Sequence, residues 1–553
     1  MKNKVVRICL WVLGGFTVLV LCTAWYLNVH WGRMLRNELQ GYVTDLSDSL
    51  YVLHFKDVRL NVLTGSVIVE DAHMTLDSAV YRKMLAAHKA PSTIYLISVE
   101  KLHLKYFRPW RYFRNQELRA GSLTVTGPDI FMEQNATVLD TTKPRTAYEN
   151  ISAKMKSIFI GKLIMDETNF KYVFIRKDTT TATHQFLHLR VRVNDFLIDS
   201  AALNDPTRFL YARNYDIGMR DYAHLSKDSL YNMLLRGISY DAAEQTLHIS
   251  QFEVQPRYSR DSFGIKLGKQ QDLYNLTLHN ISVNHLNPKL LLQNQECWAK
   301  RVDINSGELS IYHDRRLPLP PGDKLGQYPN QLLQQLQAPI SIDTLIARRM
   351  DIKYEETSPE SDQTGEIRFS NAHSTFYNIT NIDSLVANNN HCTADMDAIF
   401  MESGKLRAHF DFTLNSAGGA FSISAQLNGM NGKELNPVTM PLGKVEVRSC
   451  DIEDLSFNIK GDEKKAAGTV KLLYKNLRIA ILKQDKAHKE FVRKGLVSLL
   501  ANLMVIKDSN PLPGEKPRVA RPTLARDPKK SFFNLVWKTL FEGVKETAGA
   551  SRI

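Results

Sequence analysis

The chain has 553 residues, 43% hydrophobic and 23% charged, with a formal net charge of +13. That balance excludes a globally disordered polymer. The charge sits at the ends. Residues 1–36 carry Lys2, Lys4, Arg7, Arg33 and Arg36 with no acid, and residues 483–553 carry fifteen Lys/Arg against seven Asp/Glu. Residues 37–482 are therefore net neutral, which excludes an extended nucleic-acid surface there. Five cysteines in so long a chain exclude a disulfide framework. Outside the first span only Cys297, Cys392 and Cys450 remain, enough for one pair with one left over.

Ile8 to Leu27 is a run of twenty residues without a charge. As a helix it would be about 30 Å long, the thickness of a bilayer core. Lys2, Lys4 and Arg7 before it place a short stub in the cytoplasm, and Trp25, Tyr26 and Trp31 fit an interfacial belt. A cleaved signal peptide is the rival reading, but the run is long for one and leads into Trp25, Tyr26 and Leu27 without a small-x-small site. The expectation is an uncleaved single-pass anchor in the inner membrane, with the bulk of the chain outside the cytoplasm.

Leu35, Leu39, Val43, Leu46 and Leu50 recur at helical spacing and predict an amphipathic helix after the span. The period then becomes two. Leu102, Leu104 and Tyr106 alternate with polar residues, as do Leu187, Leu189, Val191 and Val193, and strand alternation would place His184 and His188 on one side. A short pattern, glycine followed by alternating apolar residues, begins at Gly65, Gly121, Gly161, Gly307, Gly365, Gly404 and Gly468, and reads as a strand-start device. Residues 315–338 are rich in proline and predict a boundary with a short helix through Leu332, Leu333 and Leu336.

The clearest hairpin lies beyond it. Leu406, Ala408, Phe410, Phe412 and Leu414 share one face, and Phe421, Ile423, Ala425 and Leu427 share the matching face after a Ser416–Gly419 link. Leu406, Phe410, Phe412, Phe421, Ile423 and Leu427 are the candidate lining of an apolar groove, although the same alternation would build a closed sandwich core. After Leu482, Phe491, Val492, Leu496, Leu499, Leu500 and Leu503 form a helical stripe. A proline-rich basic connector follows, then a last helix from Ser531 to Glu546. Its candidate docking face is Phe533, Val536, Trp537, Leu540 and Val544, to be buried on the β region, a partner or a membrane.

The expected organisation is a stub and anchor over 1–30, a first β-rich region over 31–314, the boundary at 315–338, a second β-rich region over 339–482 and a basic helical tail over 483–553. The fold class is mainly β, an elongated antiparallel sheet in trough or sandwich form, with C-terminal helices. No HExxH, GxSxG or Walker A pattern occurs. His391, Cys392, Asp395 and Asp397 lie close together in what reads as a polar loop, without the spacing of a metal class. Glu355 and Glu356 are adjacent and point to opposite faces of a strand. The expectation is therefore no enzyme, no catalytic or metal residues and no cofactor. Asp48-Ser49-Leu50, Asp77-Ser78-Ala79, Asp199-Ser200-Ala201, Asp228-Ser229-Leu230 and Asp343-Thr344-Leu345 suit turns, and they also resemble O-glycan acceptor triplets of exported proteins.

The basic stub, span and amphipathic helix lead into FKDVRLNVLTGSVIVEDAHMTL (55–76), then VEKLHLKYFRPWRYFRNQELRAGSLTVTGPDIFM (99–132) and GTVKLLYKNLRIAIL (468–482). Together these resemble the AsmA-like family of Gram-negative envelope proteins, which includes TamB-type relatives. The resemblance implies an inner-membrane anchor and a β-rich periplasmic trough with an apolar lining. It also implies a role in outer-membrane homeostasis by moving phospholipid. This chain is shorter than the large relatives. The expected partners are the inner membrane through Ile8 to Leu27, phospholipid and envelope proteins. The alternative function is a scaffold that receives strands of outer-membrane proteins on its sheet edges.

Overall fold

A computed structural model describes residues 39–41, 43–45, 47–138, 146–152, 155–205, 207–208, 211–226, 228–294, 296–485, 490–493 and 506–549. The anchor Ile8 to Leu27 lies outside them, and among the described residues no helix is long and apolar enough to cross a membrane. The fold is mainly β and its strand pairing is dominated by antiparallel ladders. Two compact units are present. One comprises residues up to His224 with Arg236–Glu244, and the other comprises Leu225–Leu235 with everything from Gln245.

In the first unit the strands are β1 (Tyr51–His54), β2 (Asp57–Asn61), β3 (Ser66–Leu76), β4 (Thr93–Lys105), β5 (Glu117–Thr126), β6 (Asp129–Asn135), β7 (Ser157–Ile175), β8 (Thr181–Ile198) and β9 (Asn214–Leu225). β10 (Tyr231–Asp241) is divided between the units at Leu235. The ladders run antiparallel except where the broken strand β5–β6 meets β7 in parallel. The leading helical residues end by 47–49, and Leu39 packs with Tyr112 and Phe107 over Val58, Leu60, Val67 and Val69.

The second unit contains β11 (Thr246–Pro256), β12 (Leu273–Asn284), β13 (Cys297–Asp314), β14 (Ile340–Thr357), β15 (Thr364–Thr380), β16 (His391–Phe400), β17 (Gly404–Thr413), β18 (Phe421–Asn431), β19 (Val445–Gly461), β20 (Lys465–Asp485), β21 (Glu490–Arg493) and β22 (Thr523–Ala525). From β11 to β20 each strand pairs with the next, antiparallel except for β13–β14. The Pro-rich segment 315–338 lies inside this unit as the crossover joining those two parallel neighbours, as a parallel pair requires. Its helix, Pro329–Gln334, buries Asn330 and Gln331 and leaves Leu332 exposed; Leu336 lies beyond the helix end and is also exposed.

Most long strands are bent. Glu167 (φ 52°) and His188 (φ 54°) adjoin in β7 and β8, and Arg349 (φ 48°) and Asn371 (φ 49°) adjoin in β14 and β15, each at a shift of register. A bulge adds a residue and turns the strand. It also resets the alternation, and so corrects two expectations. Leu187 faces out and is exposed, while Phe186 and His184 turn to the apolar side. His184 and His188 therefore part: His184 stacks on Tyr172, and His188 bonds Glu167. Tyr106 (φ 56°) leaves β4 and is exposed.

The glycine pattern is also corrected. Gly65, Gly365 and Gly404 stand at strand starts, but Gly121, Gly161, Gly307 and Gly468 lie inside β5, β7, β13 and β20. The reason is close approach rather than a turn. A Cβ on Gly468 would lie 2.0 Å from the Asn458 carbonyl oxygen, and one on Gly161 would lie 2.8 Å from that of Gly121. Phe491 and Val492 belong to β21, paired with β20, and not to a helix. Leu496 to Leu503 lie outside the described residues.

Candidate functional site

The candidate site is the apolar side of each unit's sheet, and its continuity follows from register. In the first unit one cross-strand row runs Val58–Val69–Leu102–Val125–Met165–Val191–Ile217 over β2, β3, β4, β5, β7, β8 and β9. The next row runs Leu60–Val67–Leu104–Leu123–Leu163–Val193–Tyr215. Between them, on the opposite side, run Arg59–Ile68–His103–Thr124–Ile164–Arg192–Asp216, polar at both ends. Period two thus makes the first two rows wholly apolar across seven strands, whereas the opposite row is mixed, with Ile68 and Ile164 among polar residues.

Cover differs along that side. At β2 and β3 the row is buried beneath Phe107, Tyr112 and Leu39. At β7, β8 and β9 Leu163, Met165, Val191, Val193, Tyr215 and Ile217 are only half-buried, and among the described residues no α-helix packs closely on them. Past the bulges the side continues as an aromatic bank. Phe170, Phe186 and Tyr222 stack at 5.8 and 5.1 Å, and Tyr172, His184 and His224 stack at 6.2 and 5.4 Å. The His184 Nδ1 and Tyr222 hydroxyl share a 2.9 Å hydrogen bond.

In the second unit a row of nine residues, Leu247–Val283–Val302–Leu345–Phe376–Ala394–Phe410–Ile423–Ile459, crosses β11 to β19. Leu247, Val283, Leu345 and Phe376 are half-buried. At the far end Ile423 and Ile459 are buried. What closes that end is the C-terminal helix, Phe532–Thr547, together with Tyr328. Phe532 meets Phe421 at 4.8 Å, Phe412 at 5.7 Å and Tyr328 at 5.1 Å between ring centroids. Phe410, Phe412, Phe421 and Ile423 belong to this cluster, and Leu406 and Leu427 belong to a neighbouring one with Tyr474 and Val544. The hairpin therefore has the predicted register. Of its six candidate groove residues Phe421, Ile423 and Leu427 are buried, while Leu406, Phe410 and Phe412 are half-buried and pack against the clusters beneath the helix. Half-buried lining continues on β7–β9 and β11–β15.

The helix itself is where the sequence placed it, and it docks within its own unit. The face that docks is rotated from the expected one. Phe532, Leu535, Thr539, Gly543 and Thr547 are buried, Val536, Leu540 and Val544 flank the contact, and Phe533 and Trp537 are exposed. Two features missed in the sequence set that rotation. Gly543 brings the helix against Val470, where a Cβ would fall 2.5 Å from its Cγ2. The strap of residues 506–531 adds the second constraint. It pairs with the β20 edge at Thr523–Ala525, Ala520 and Asn510. Arg518 Nε donates to the Thr547 carbonyl at 2.9 Å, at the helix C-terminus. Arg526, its side chain 2% exposed, lies 4.2 Å over the Tyr328 ring, donates to the Lys324 carbonyl at 2.6 Å and faces Glu463 at 3.7 Å.

Polar chemistry gathers at one end of β12–β14. His313 Nδ1 and Asp272 share a 2.7 Å bond, Tyr274 donates to Asp272 at 3.2 Å, Tyr354 donates to Glu356 at 2.9 Å, and Arg315 pairs with Glu356 at 2.9 Å. Burial and the adjacent carboxylates push both phenols far up, so they remain donors. Burial pushes the Asp272 carboxyl up, but the His313 bond and charge outweigh it and hold the group low. Glu355 turns the other way, to Arg260 and Lys353. His391, Asp395 and Asp397 stand on strand β16 rather than a loop, paired with Asp411, His409 and Arg407 across the ladder, while Cys392 points into the core. Among the described residues no group of three His, Cys, Asp or Glu converges as a metal site, and Cys297, Cys392 and Cys450 are all free thiols. Asp77 caps the helix Ser78–Ala86, and Asp199 accepts from two backbone amides, so these triplets hold turns. No protein-family model matches the chain, and no curated protein matches its sequence significantly.

Proposed function

We propose that this protein is a non-enzymatic, inner-membrane-anchored envelope protein whose open apolar sheet faces bind and pass the acyl chains of phospholipid. Its role on this reading is outer-membrane homeostasis. The observation that carries it is the pair of uninterrupted apolar rows that stay half-buried over β7–β9, next to an aromatic bank. Such a surface is costly to leave in water and takes a flexible chain without directional bonds. Each methylene buried on it contributes about 0.8 kcal/mol, so about ten methylenes give roughly 8 kcal/mol before ordering costs. The anchor and the envelope location rest on the Ile8 to Leu27 run and the AsmA-like resemblance.

The reading is tested by a photo-crosslinking residue placed in the full chain at Val193, against one at Arg192 on the other side of β8. Phospholipid adducts at Val193 and none at Arg192 are expected. Equal labelling, or none at Val193, overturns it. The alternative, client strands added to a sheet edge, is weakened because the strap already occupies much of the β20 edge.

A further inference from the structure

The C-terminal helix has two apolar sides, and only one is used inside the unit. Opposite the docked side, Phe533, Trp537 and Phe541 are 68%, 43% and 46% exposed. Their spacing of four places them in a ridge about 12 Å long at 1.5 Å per residue. Three large aromatics exposed in line on a stable docked helix form a patch, unlike scattered surface residues. Lys538 is exposed beside the ridge, Lys529 precedes the helix, and Lys545, ion-paired with Glu542 at 2.7 Å, lies 5.4 Å over the Phe541 ring, so Lys529 and Lys538 supply the cations next to the ridge. The 506–549 segment carries nine Lys/Arg against five Asp/Glu.

We propose that this ridge is a membrane-docking element that seats the C-terminal end of the protein on an anionic phospholipid surface. Trp and Phe rings enter the headgroup–acyl boundary, where aromatic residues are favoured, and the flanking lysines meet the negative surface potential. The buried side of the helix stays fixed by Phe532, Leu535 and the Arg518 bond to Thr547, so docking needs no unfolding. Aromatics at the interface with lysines at the edge match lipid better than a protein partner of unspecified charge. The inference stands apart from the acyl-chain reading.

The test uses the full chain held in a zwitterionic nanodisc and offered separate vesicles of phosphatidylcholine containing about one-third phosphatidylglycerol. Capture by the anionic vesicles is expected, falling about tenfold or more in F533Q/W537Q/F541Q, where glutamine preserves helix propensity. K529Q/K538Q should weaken capture a few-fold and flatten its salt dependence. Brominated lipid in the vesicles should quench fluorescence in the native protein more than in Trp537→Phe. Phe186→Asp, on the sheet face, should leave capture unchanged, which separates this inference from the acyl-chain reading. Capture equal in the triple glutamine variant, no capture by the native chain, or self-association abolished by those substitutions without vesicle binding would each overturn the proposal.

Discussion

Phe421→Ala and Phe186→Ala remove the same ring from two parts of one type of surface, and the structure separates their costs. Phe421 is 5% exposed and wedged between Phe532 and Tyr328 at 4.8 and 5.9 Å. Truncation there leaves a cavity that a fixed helix and strand cannot fill, for a loss of about 3–5 kcal/mol. Phe186 is half-buried and stacked on Phe170 and Tyr222, and among the described residues no α-helix packs closely on its strand. Its truncation forfeits part of the burial and two ring contacts, about 1–2 kcal/mol. With two compact units a single unfolding midpoint is ambiguous, so local hydrogen exchange is the suitable readout. Exchange in β18 and the C-terminal helix should speed up roughly 100-fold or more in Phe421→Ala. Exchange in β8 should change about thirtyfold or less in Phe186→Ala, while lipid labelling at Val193 falls. If Phe186→Ala loosens β8 as strongly as Phe421→Ala loosens β18, the β7–β9 face is ordinary core and the reasoning fails.

Arg526→Ala should free the strap, because Glu463 loses its cation and the Lys324 carbonyl loses a donor inside the unit; about 3 kcal/mol is expected, seen as faster proteolysis between 506 and 531. Gly468→Ala should sharply lower the yield of folded protein, since its Cβ meets the Asn458 carbonyl, whereas Gly418→Ala, with open space around it, should be silent in the same assay. Under native conditions at pH 8 a maleimide should modify Cys297 well before Cys392 and Cys450. Burial pushes their thiols up to about 11 and about 12, so almost no thiolate is present, and denaturant should equalise all three in peptide mass spectrometry.

Mainly β structure, the hairpin register from Leu406 to Leu427, and the helix at the end were legible in the sequence. Each depends on periodicity, which is a property of neighbours along the chain. The alternation also set which residues would be apolar-side in every unbroken strand stretch. It failed at Leu187 and His188 because a left-handed residue in mid-strand resets the parity, and nothing in the amino-acid types announces it. Which part of the apolar side is covered was not legible at all. Phe410 and Val193 have equivalent patterns, yet Phe410 packs with Phe532 while among the described residues no α-helix packs closely on the strand of Val193. Cover depends on where a helix more than a hundred residues away comes to rest. That was decided by Gly543 against Val470, Arg518 at Thr547 and Arg526 over Tyr328, contacts that exist only once the strap has paired along β20. The same rotation that buries Phe532 turns Phe533 and Trp537 outward, because successive helix positions differ by about 100° and one docked side leaves the other in solvent.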